Sequence, residues 1–460
     1  MAVLALVSLL TAVKYARYPV QYDYEEGNLL NAAVLVASGQ TPYPDPHSWP
    51  LVLNPYGPLP YLATGAIIKT LGVSLTGPRL LGIGCASVVA VLIGFLLRRH
   101  PSSWPLSVIF ASLFLVTPLV RYWLPIWRVD WLALALSLAG LALFTCCPMH
   151  WVAVSLVLVS SLFVKYTFLA SPAAVGLSLM LRKQWWLLLR YAGAGALFCA
   201  AGFAIAQWCT NGHFAFHEFG THADTYELSR FGLHLATQVA DLPVVFGLAF
   251  LSLYTALRRR ETSPAAVYLL MTLIGSSTAG KFGSSTNHLI ELTAAACLGA
   301  GIAWPEVVKF VRGRLGRSRD LAANTMWVGV CASVVIPGAL YRPPATSRNV
   351  CDSVQVFLRD HGERVLTDNV GELLLAGKRV TVSNPFVYTQ LVARGGWSDA
   401  PVLERVSGRQ FDVILLEAAV ENYIVNNRFS GSVLSEIKRN YRRAAQFECP
   451  YAGVAYVPKE

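Results

Sequence analysis

The sequence predicts a polytopic α-helical membrane protein that ends in a small α/β domain. Hydrophobic residues make up 55% of its 460 residues and charged residues only 14%, whereas soluble proteins carry roughly 25% charged residues. The mean hydropathy is +0.49. Most apolar residues fall into long runs, and short alternating runs are concentrated near the C-terminus. An ordinary cytosolic protein and a disordered or fibrous chain are therefore excluded.

The positive charge is concentrated in the apolar part of the chain. Residues 1–342 contain 23 Lys and Arg against 13 Asp and Glu, while residues 343–460 contain 14 against 13. Basic residues in short loops between apolar runs orient a membrane protein, and the sequence contains no RNA- or DNA-binding motif. We therefore expect a transmembrane domain over 1–342, a soluble domain over 343–460 and no nucleic-acid partner.

Eleven segments are expected to cross the membrane, since a span needs about 20 apolar residues. They lie near residues 1–13, 78–97, 104–120, 131–147, 151–164, 168–181, 186–206, 240–257, 264–280, 288–308 and 322–340. The first is short, but no small-residue cleavage site follows it, so we expect a retained span and not a signal peptide.

The basic loops predict the orientation. Clusters with almost no acidic residues occur at 98–99, 182–183, 258–260 and 309–319, and such loops remain in the cytoplasm. The N-terminus is then cytoplasmic and the C-terminal domain extracytoplasmic, in a multi-pass protein of the inner (plasma) membrane. Segment 56–72 is also apolar, but an additional span there would reverse the loop at 98–99. We therefore expect it to lie on the outer surface as an interfacial helix.

The C-terminal domain has the alternation of an α/β fold. Strands are predicted at 363–367, 378–382, 411–416 and 453–457, and helices at 351–360, 386–395 and 432–443. Cys351 and Cys449 bracket this domain, so a disulfide can form between them if the domain is extracytoplasmic. Six other cysteines lie in or beside apolar runs, where small buried side chains are the ordinary interpretation.

The first outer loop, residues 14–77, begins with clustered carboxylates. Asp23, Glu25 and Glu26 lie within four residues of one another, just past the first span. Clustering and partial burial raise carboxylate pKa values, and such a group can act as a general base for a hydroxyl or bind a divalent cation. The alternative is a solvated acidic loop, which the spacing alone favours.

Three loops on the same predicted face carry cationic side chains at their tips or edges. These residues are Arg121, Arg128, Lys165, Lys281 and His288. Together they suit an anionic lipid headgroup such as a phosphate, although any single Lys or Arg is as well explained by snorkelling. His288 alone is typical of a hydrogen-bonded helix end. Asp130 is expected to pair with Arg128 or Arg121, with a direct role at the site as the alternative.

The loop at 207–239 contains a weak metal-like pattern. His213 and His217 are four residues apart, Glu218 follows and His222 comes four residues later, but the HExxH spacing is absent. An aromatic-rich interfacial segment is the simpler interpretation, and no metal ligand is assigned.

Several motifs together resemble the GT-C class of membrane glycosyltransferases, which includes protein O-mannosyltransferases and aminoarabinose transferases. They are Asp23-Tyr24-Glu25-Glu26-Gly27, Gly39-Gln40-Thr41-Pro42-Tyr43, Tyr56-Gly57-Pro58-Leu59-Pro60-Tyr61, Gly77-Pro78-Arg79, Arg128-Val129-Asp130, Lys165 and the stretch from Lys281 to Glu291. The chain departs from the class in two places. Glu25-Glu26 stands where the family often has Asp-Glu, and Tyr56-Gly57-Pro58 stands where aminoarabinose transferases place a Lys beside paired prolines.

The resemblance implies a sugar donor carried on polyprenyl phosphate and an acceptor hydroxyl of a lipid, glycan or protein on the outer face. Hexosyl or pentosyl transfer would invert the anomeric centre, with Glu25 as the base ahead of Asp23 and Glu26. Arg128, Lys165 and Lys281, with Arg121 and His288, would bind the donor phosphate. Asn54, Tyr56 and Asp130 would contact substrate. No organic cofactor is implied, and a divalent cation is left open.

Other classes share part of this pattern. A glycan ligase or polymerase also uses polyprenyl-linked donors, but it carries a long basic outer loop late in the chain. A transporter or flippase of lipid-linked sugars is expected to show inverted repeats and broken helices at mid-membrane. A receptor whose C-terminal domain binds an external ligand would not need the carboxylates of the first loop.

Overall fold

The computed structural model of the chain describes residues 1–100, 102–222, 225–314, 329, 332, 351–425, 427–449 and 452–460. Within this part the chain forms two compact units. The first unit contains Met1–Tyr15, the described part of 80–203 and residues 225–314. The second contains Ala16–Arg79, residues 204–222 and the described part of the C-terminal domain.

The first unit is built from helices. They are α1 (Ala2–Ala16), the larger part of α4 (Thr76–Leu97), α5 (Trp104–Val116), α6 (Pro118–Trp123), α7 (Val129–Cys146), α8 (Trp151–Leu162), α9 (Ala170–Leu181), most of α10 (Trp185–Cys209), α12 (Leu228–Asp241), α13 (Pro243–Arg259), α14 (Pro264–Gly275) and α15 (Ile290–Arg314). Two of them, α5 and α14, begin at a side-chain cap followed by proline. The Ser103 hydroxyl accepts from Leu106 N at α5, and Ser263 accepts from Ala266 N at α14, which satisfies amides that have no intrahelical partner.

Ten of the eleven predicted spans fall on helices of the described part, and the eleventh, 322–340, lies outside the described residues. Four helices are long and apolar enough to cross a membrane, namely those at Thr76–Leu97, Val129–Cys146, Trp185–Cys209 and Thr286–Val311. A fifth candidate is the pair formed by α12 and α13, which is bent by 103°. Five shorter apolar helices coincide with the remaining predicted spans, and their crossing of a membrane stays a prediction.

The second unit combines the first loop with the C-terminal domain. Its helices outside that domain are α2 (Tyr24–Ala37), α3 (Pro58–Leu71) and α11 (Phe214–Phe219). The predicted interfacial segment 56–72 is helical as α3, where Pro58 occupies the first turn and Gly72 follows the last. Leu62 and Leu71 are exposed on α3, which is compatible with a helix lying against lipid.

The C-terminal domain contains a four-stranded mixed sheet in the order β1-β2-β4-β3. Its strands are β1 (Val365–Thr367), β2 (Val413–Leu416), β3 (Tyr441–Cys449) and β4 (Ala452–Pro458). β1 and β2 are parallel, with Val365 opposite Val413, and β4 is antiparallel to both β2 and β3. Five helices accompany the sheet: α16 (Asp352–Asp360), α17 (Val370–Leu375), α18 (Pro385–Ala393), α19 (Ala400–Ser407) and α20 (Gly431–Asn440).

The small α/β domain predicted at the C-terminus is present, with two differences of detail. The run at 378–382 is not a strand, because Val382 forms only an isolated bridge with Leu51 of the first loop. The predicted helix at 432–443 ends at Asn440, where β3 begins. The run at 378–382 and the helix within 432–443 are both buried against the same core as β2. The burial pattern alone therefore does not distinguish a strand from a helix or an isolated bridge.

A disulfide joins Cys351 to Cys449 within the C-terminal domain, as the sequence allowed. It links the residue before α16 to the end of β3, across 98 positions of the chain. The remaining cysteines of the described part are free thiols. A disulfide constrains the unfolded chain, and loops of this length gain most from it.

We predict that replacing both cysteines, C351S/C449S, lowers the unfolding free energy of the C-terminal domain by roughly 2–4 kcal/mol. Thermal melts in detergent, with and without reducing agent, measure the effect. The control is Cys209→Ser, because Cys209 is an exposed free thiol, and it should leave the melt unchanged. Alkylation of Cys351 and Cys449 in the unreduced protein would contradict the prediction.

Candidate active site

The three carboxylates of the first loop lie at the start of α2. Asp23 is the N-cap, with extended backbone, and its Oδ1 accepts a hydrogen bond of 3.1 Å from Glu25 N. Glu25 and Glu26 occupy the first turn and are buried. Negative charge is stabilised at a helix N-terminus by the exposed amides and the helix dipole, so this turn can hold acidic side chains out of water.

Glu26 forms a buried bidentate ion pair with Arg79, in the first turns of α4. Arg79 Nε donates to Glu26 Oε1 at 2.8 Å and Nη2 donates to Oε2 at 2.7 Å, and neither side chain is exposed. The guanidinium also donates to the carbonyls of Tyr18 and Val20. Glu26 Oε2 accepts from Tyr22 N as well. Both oxygens of Glu26 are therefore occupied by structural partners.

Glu25 is 8% exposed and has a different environment. Its Oε2 accepts a hydrogen bond of 3.1 Å from Asn28 Nδ2, one turn along α2. The phenols of Tyr24 and Tyr61 lie within its electrostatic reach. Asp23 thus caps the helix and Glu26 pairs with arginine, whereas Glu25 accepts a hydrogen bond from an amide of its own helix.

The C-terminal domain holds the first turn of α2 in place. Tyr24 hydroxyl donates to Asn384 Oδ1 at 3.2 Å and accepts from Phe386 N at 3.0 Å. Asn28 Oδ1 accepts from Asn384 N. The Arg428 guanidinium lies 4.2 Å from the centre of the Tyr24 ring, a cation–π contact. These contacts fix Tyr24, which precedes Glu25, and Asn28, which donates a hydrogen bond to Glu25.

A second contact lies one turn away, where two glycines meet. A Cβ at Gly27 would lie 2.6 Å from Gly371 N and 2.7 Å from Gln21 Oε1. Gln21 Oε1 accepts from Gly371 N at 3.0 Å, and Gln21 N donates to Glu372 Oε1. Burial raises the pKa of Glu372. Only a residue without a side chain fits where α2 crosses the start of α17.

Sequence reasoning missed an acidic cluster at the ends of the parallel strands. Asp368 follows β1 and is fully buried. Its carboxylate accepts hydrogen bonds from the backbone N of Glu417, the residue after β2, and from the Tyr423 hydroxyl at 2.6 Å. Burial raises the pKa of Asp368 to about 6, against the lowering effect of Arg428. Arg428 also pairs with Glu417. The signal was an acidic residue directly after two of the four predicted strands, 363–367 and 411–416, since the carboxyl ends of parallel strands meet at one edge.

The histidines of the 207–239 loop bind backbone of the first loop. His217 Nδ1 accepts from Asn54 N at 3.2 Å and Nε2 donates to Pro44 O at 2.9 Å. Burial lowers the pKa of His217 to about 4, so the ring is neutral. His222 Nε2 lies 2.6 Å from Pro55 O. Both ring nitrogens of His217 form hydrogen bonds to backbone groups, so this side chain has a structural role.

The predicted substrate residues Asn54 and Tyr56 are part of the same packing. Asn54 Nδ2 donates to Pro42 O, and the Tyr56 carbonyl accepts from Tyr43 hydroxyl at 2.6 Å. Both residues are buried. Their described contacts fold the first loop back on itself, and a role toward substrate stays a prediction.

Glu218 is buried among aromatic rings beside this loop. It is 3% exposed, and Oε2 has no hydrogen-bond partner among the described residues. Desolvation raises the pKa of Glu218 to about 8. Tyr43 and Tyr61 both lie within its electrostatic reach. The carboxyl group is therefore protonated at neutral pH in the folded protein.

The predicted cations of the first unit surround Asp130 in α7. Lys165 Nζ donates to Asp130 Oδ1 at 2.8 Å, and Arg128 Nε lies 3.9 Å from Oδ2. Asn287 Nδ2 donates to Oδ2 at 3.0 Å. Asp130 was expected to pair with Arg128 or Arg121, and its shorter ion pair is with Lys165. One carboxylate therefore holds two cationic side chains in a buried group.

Two other predicted site residues, His288 and Lys281, lie near this group. His288 is in electrostatic contact with Lys165, Arg128, Asp130 and Lys281, and its Nδ1 lies 3.0 Å from Thr278 Oγ1. Lys281 Nζ donates to Tyr166 hydroxyl at 3.4 Å. Arg121 is half-buried in α6. The three cationic side chains here, Arg128, Lys165 and Lys281, outnumber the two carboxylates, Asp130 and Glu291.

Glu291 lies in the first turn of α15, next to the Asp130 group. Its Oε1 accepts from Ser137 hydroxyl at 3.1 Å and from Tyr268 hydroxyl at 3.3 Å. Glu291 is buried. The predicted site residues thus fall into two groups, a carboxylate group in the second unit and a cationic group in the first.

A metal-like arrangement of side chains occurs at one place in the described part of the chain. Ligand atoms of Cys351, Glu372 and Cys449 lie within 4.8 Å of one another. The two cysteines form the disulfide, and a disulfide sulfur is not the thiolate that binds a metal. The donor set therefore does not fit a cation.

No protein-family model and no curated protein sequence matches the chain. Solved structures do match it. The aminoarabinose transferase ArnT from Cupriavidus metallidurans in the apo state superposes with a TM-score of 0.66 at 11% identity, over 99% of this chain and 97% of that one. The same enzyme bound to undecaprenyl phosphate gives 0.54 at 13%, over 95% and 87%.

Two further structures match at a similar level. The oligosaccharyltransferase from Archaeoglobus fulgidus, in complex with Zn and sulfate, gives a TM-score of 0.54 at 13% identity, over 98% of this chain and 72% of that one. The arabinofuranosyltransferase AftD from Mycobacteria gives 0.51 at 16%, over 100% and 40%. All are GT-C glycosyltransferases, and the chain has the GT-C fold that its motifs indicated.

We predict that Gly27→Ala destabilises the protein by roughly 1–3 kcal/mol, because the new methyl group would overlap Gly371 N and Gln21 Oε1. Chemical or thermal unfolding in detergent measures the loss. The control is Gly84→Ala, where nothing lies within 4 Å of the added carbon and helix propensity favours alanine. Equal stability of the two variants would contradict the close packing of α2 on α17.

We predict that Glu218→Gln removes part of the pH dependence of stability. The folded pKa is about 8 against an ordinary 4.5, so between these values the unfolded chain loses a proton that the folded chain keeps. The unfolding free energy of wild type therefore falls as pH rises through this range. The variant should equal wild type near pH 4 and exceed it near pH 8, by up to about 4 kcal/mol.

Melting curves of wild type and Glu218→Gln between pH 4 and 9 measure this difference. Glu421→Gln, at an exposed position, is the control and should follow wild type at every pH. Parallel curves for Glu218→Gln and wild type would contradict a protonated, buried Glu218.

Proposed function

We propose that this protein is a membrane glycosyltransferase that moves a sugar from a polyprenyl-phosphate donor to a hydroxyl of a lipid, glycan or protein. The observation that carries the proposal is the buried Glu25 on the first turn of α2, in a chain with the GT-C fold. Glu25 is the general base. Its neighbours Asp23 and Glu26 build the turn that holds it, as N-cap and as partner of Arg79.

The reaction is a direct displacement at the anomeric carbon. Glu25 accepts the proton of the acceptor hydroxyl as that oxygen bonds to the anomeric carbon. The bond from this carbon to the phosphate oxygen breaks, and its electron pair leaves with the polyprenyl phosphate. Attack opposite the leaving group inverts the anomeric centre. The reaction thus needs a base for the poor nucleophile and positive charge for the anionic leaving group.

The cationic group around Asp130 supports the phosphate side of this scheme. Lys165, Arg128 and Lys281 all lie within electrostatic reach of His288. Asp130 orients Lys165 and Arg128 and leaves a net positive charge. Preorganised cations of this kind stabilise charge that develops on a leaving group. The undecaprenyl phosphate bound to ArnT is a donor-type lipid, and it supports the same class of lipid for this chain.

We assign no step of the proposed reaction to a metal ion. The archaeal oligosaccharyltransferase was solved with Zn, but the metal-like group in the described part of this chain contains a disulfide. Glu26 and His217 are occupied by Arg79 and by backbone groups. The carboxylate chemistry proposed here needs a proton acceptor and does not depend on a metal ion.

We place the reaction on the extracytoplasmic face of the inner membrane. The basic loops at 98–99, 182–183 and 258–260 favour the opposite, cytoplasmic face. The Cys351–Cys449 disulfide supports an oxidising compartment for the C-terminal domain. Polyprenyl-phosphate donors reach that face within the membrane, so no nucleotide sugar is required there.

The test is release of polyprenyl phosphate in proteoliposomes supplied with a panel of polyprenyl-phosphate sugars and candidate acceptors. Glu25→Gln should lower turnover by roughly 10²–10⁴-fold, because it removes the base, while donor binding is retained. Glu26→Gln should instead lower the melting temperature, since it leaves Arg79 buried with one neutral partner. Asp23→Asn should have a small effect, because asparagine also caps helices.

Glu421→Gln, an exposed carboxylate in the C-terminal domain, is the matched control and should retain wild-type turnover. A chelator arm should leave turnover unchanged. Wild-type turnover in Glu25→Gln would refute the base assignment. A wild-type protein that consumes none of the donors would refute the transferase itself and favour the transporter or receptor alternatives.

A further inference from the structure

A groove of about 690 Å³ runs along the first unit between α1, α4 and α5. One face of α4 forms one wall, with residues at intervals of three and four: Ser87, Ala90, Val91, Gly94, Phe95 and Arg98. This spacing places all of them on the same side of a helix. The wall is apolar along its length and ends at an arginine.

The opposite wall has the same pattern on α5. Its residues are Trp104, Ser107, Val108, Ala111, Ser112 and Leu115. Leu9 of α1 also lines the groove. α4 ends and α5 begins at the same end, so the two patterns run in opposite directions. Trp104 lies at the end of the groove next to Arg98, and Leu115 lies toward the opposite end.

Small side chains form the floor. A Cβ at Gly94 would lie 3.3 Å from the Cβ of Ala111 and 3.6 Å from Ser107 O. Val91, Phe95, Val108 and Trp104 stand at the rims and are exposed. Small residues on the floor between large residues at the rims make an elongated groove.

The mouth of the groove is cationic. Arg98 lies over the Trp104 ring at 5.3 Å, and its Nη1 donates to Ser102 O. Arg99 lies over the Phe95 ring at 5.1 Å. Both guanidinium groups are exposed, and no Asp or Glu occurs among the described residues that line the groove. Their charge is thus not neutralised by the groove itself.

The length of the groove matches one leaflet. Eleven residues separate Ser87 from Arg98, and at 1.5 Å per residue α4 rises about 16 Å between them. One half of a typical hydrocarbon core is about 15 Å. A chain that starts at Arg98 would therefore end near the middle of the membrane, at the depth where acyl chains end.

We propose that this groove binds an anionic phospholipid of the leaflet that contains Arg98 and Arg99. The phosphate would accept hydrogen bonds from the two guanidinium groups, and one acyl chain would lie along the floor between α4 and α5. Guanidinium forks suit phosphate oxygens. A soluble phosphate compound would leave the apolar walls unfilled, and a zwitterionic lipid would add a cation beside two arginines.

The site lies at the opposite end of α4 from Arg79, whose pair with Glu26 belongs to the candidate active site. The proposal is thus independent of the sugar donor and of the transferase activity. Its occupant is a membrane lipid that fills the hairpin of α4 and α5, not a substrate of the proposed reaction.

The test is lipid retention measured by native mass spectrometry of delipidated wild-type protein. The probes are phosphatidylglycerol and phosphatidylcholine with identical acyl chains, glycerol 3-phosphate and undecaprenyl phosphate. Wild type should retain phosphatidylglycerol over phosphatidylcholine, and R98Q/R99Q should lower this retention by on the order of tenfold. The matched control is R258Q/R260Q, which removes two exposed arginines that do not line the groove.

A second variant tests the groove without changing its charge. Ala111→Phe fills the floor and should lower phosphatidylglycerol retention while both arginines remain. Equal retention of the two phospholipids, or unchanged retention in R98Q/R99Q or Ala111→Phe, would overturn the proposal. Equal competition by glycerol 3-phosphate would show a simple phosphate site, and stronger retention of undecaprenyl phosphate would show a polyprenyl site; either result overturns it.

Discussion

The arrangement of the first loop depends on one buried ion pair, between Glu26 and Arg79. Two parallel hydrogen bonds join them, and the remaining guanidinium donors reach the carbonyls of Tyr18 and Val20. Arg79 also lies 4.4 Å over the Tyr22 ring. Loss of one partner of a buried pair leaves an uncompensated charge that costs about 3–5 kcal/mol. The pair therefore fixes the chain that leads into α2 against the start of α4.

The first turn of α2 is in turn held by the C-terminal domain. Tyr24 and Asn28, on either side of Glu25 in the helix, both bind Asn384, and Gly27 allows α17 to pack closely. The C-terminal α/β domain therefore helps to hold the first loop in position. In the proposed enzyme it is part of the scaffold that positions the base, whatever it contributes to the choice of acceptor.

The two units differ in how their buried charges are balanced. In the second unit Arg79 and Glu26 neutralise each other, and Glu218 is neutral because burial raises the pKa of its carboxyl group. In the first unit one carboxylate, Asp130, holds Lys165 and Arg128, and further cations lie nearby. A buried excess of positive charge is costly unless an anion offsets it. The anionic phosphate of the proposed donor is such a partner.

The sequence by itself determined the elements and the fold. Long apolar runs predicted ten helices of the described part, since a bilayer or a helical core requires that composition, and the motifs from Asp23 to Glu291 indicated the GT-C fold. It also placed the acidic and basic candidates on loops and helix ends. The run at 378–382 shows where prediction from sequence fails. A buried apolar stretch has the same sequence pattern whether it forms a strand or, as here, a single bridge to Leu51.

Only the tertiary structure decided what each charged side chain does. Glu25 and Glu26 are adjacent and chemically identical, yet one pairs with Arg79, 53 positions away, and the other binds Asn28. Lys165 and not Arg121 pairs closely with Asp130, and His217 binds backbone groups where its spacing had resembled a metal site. Local sequence fixes which atoms are available, but pairing depends on distances between residues far apart in the chain. Those distances exist only once the helices have packed.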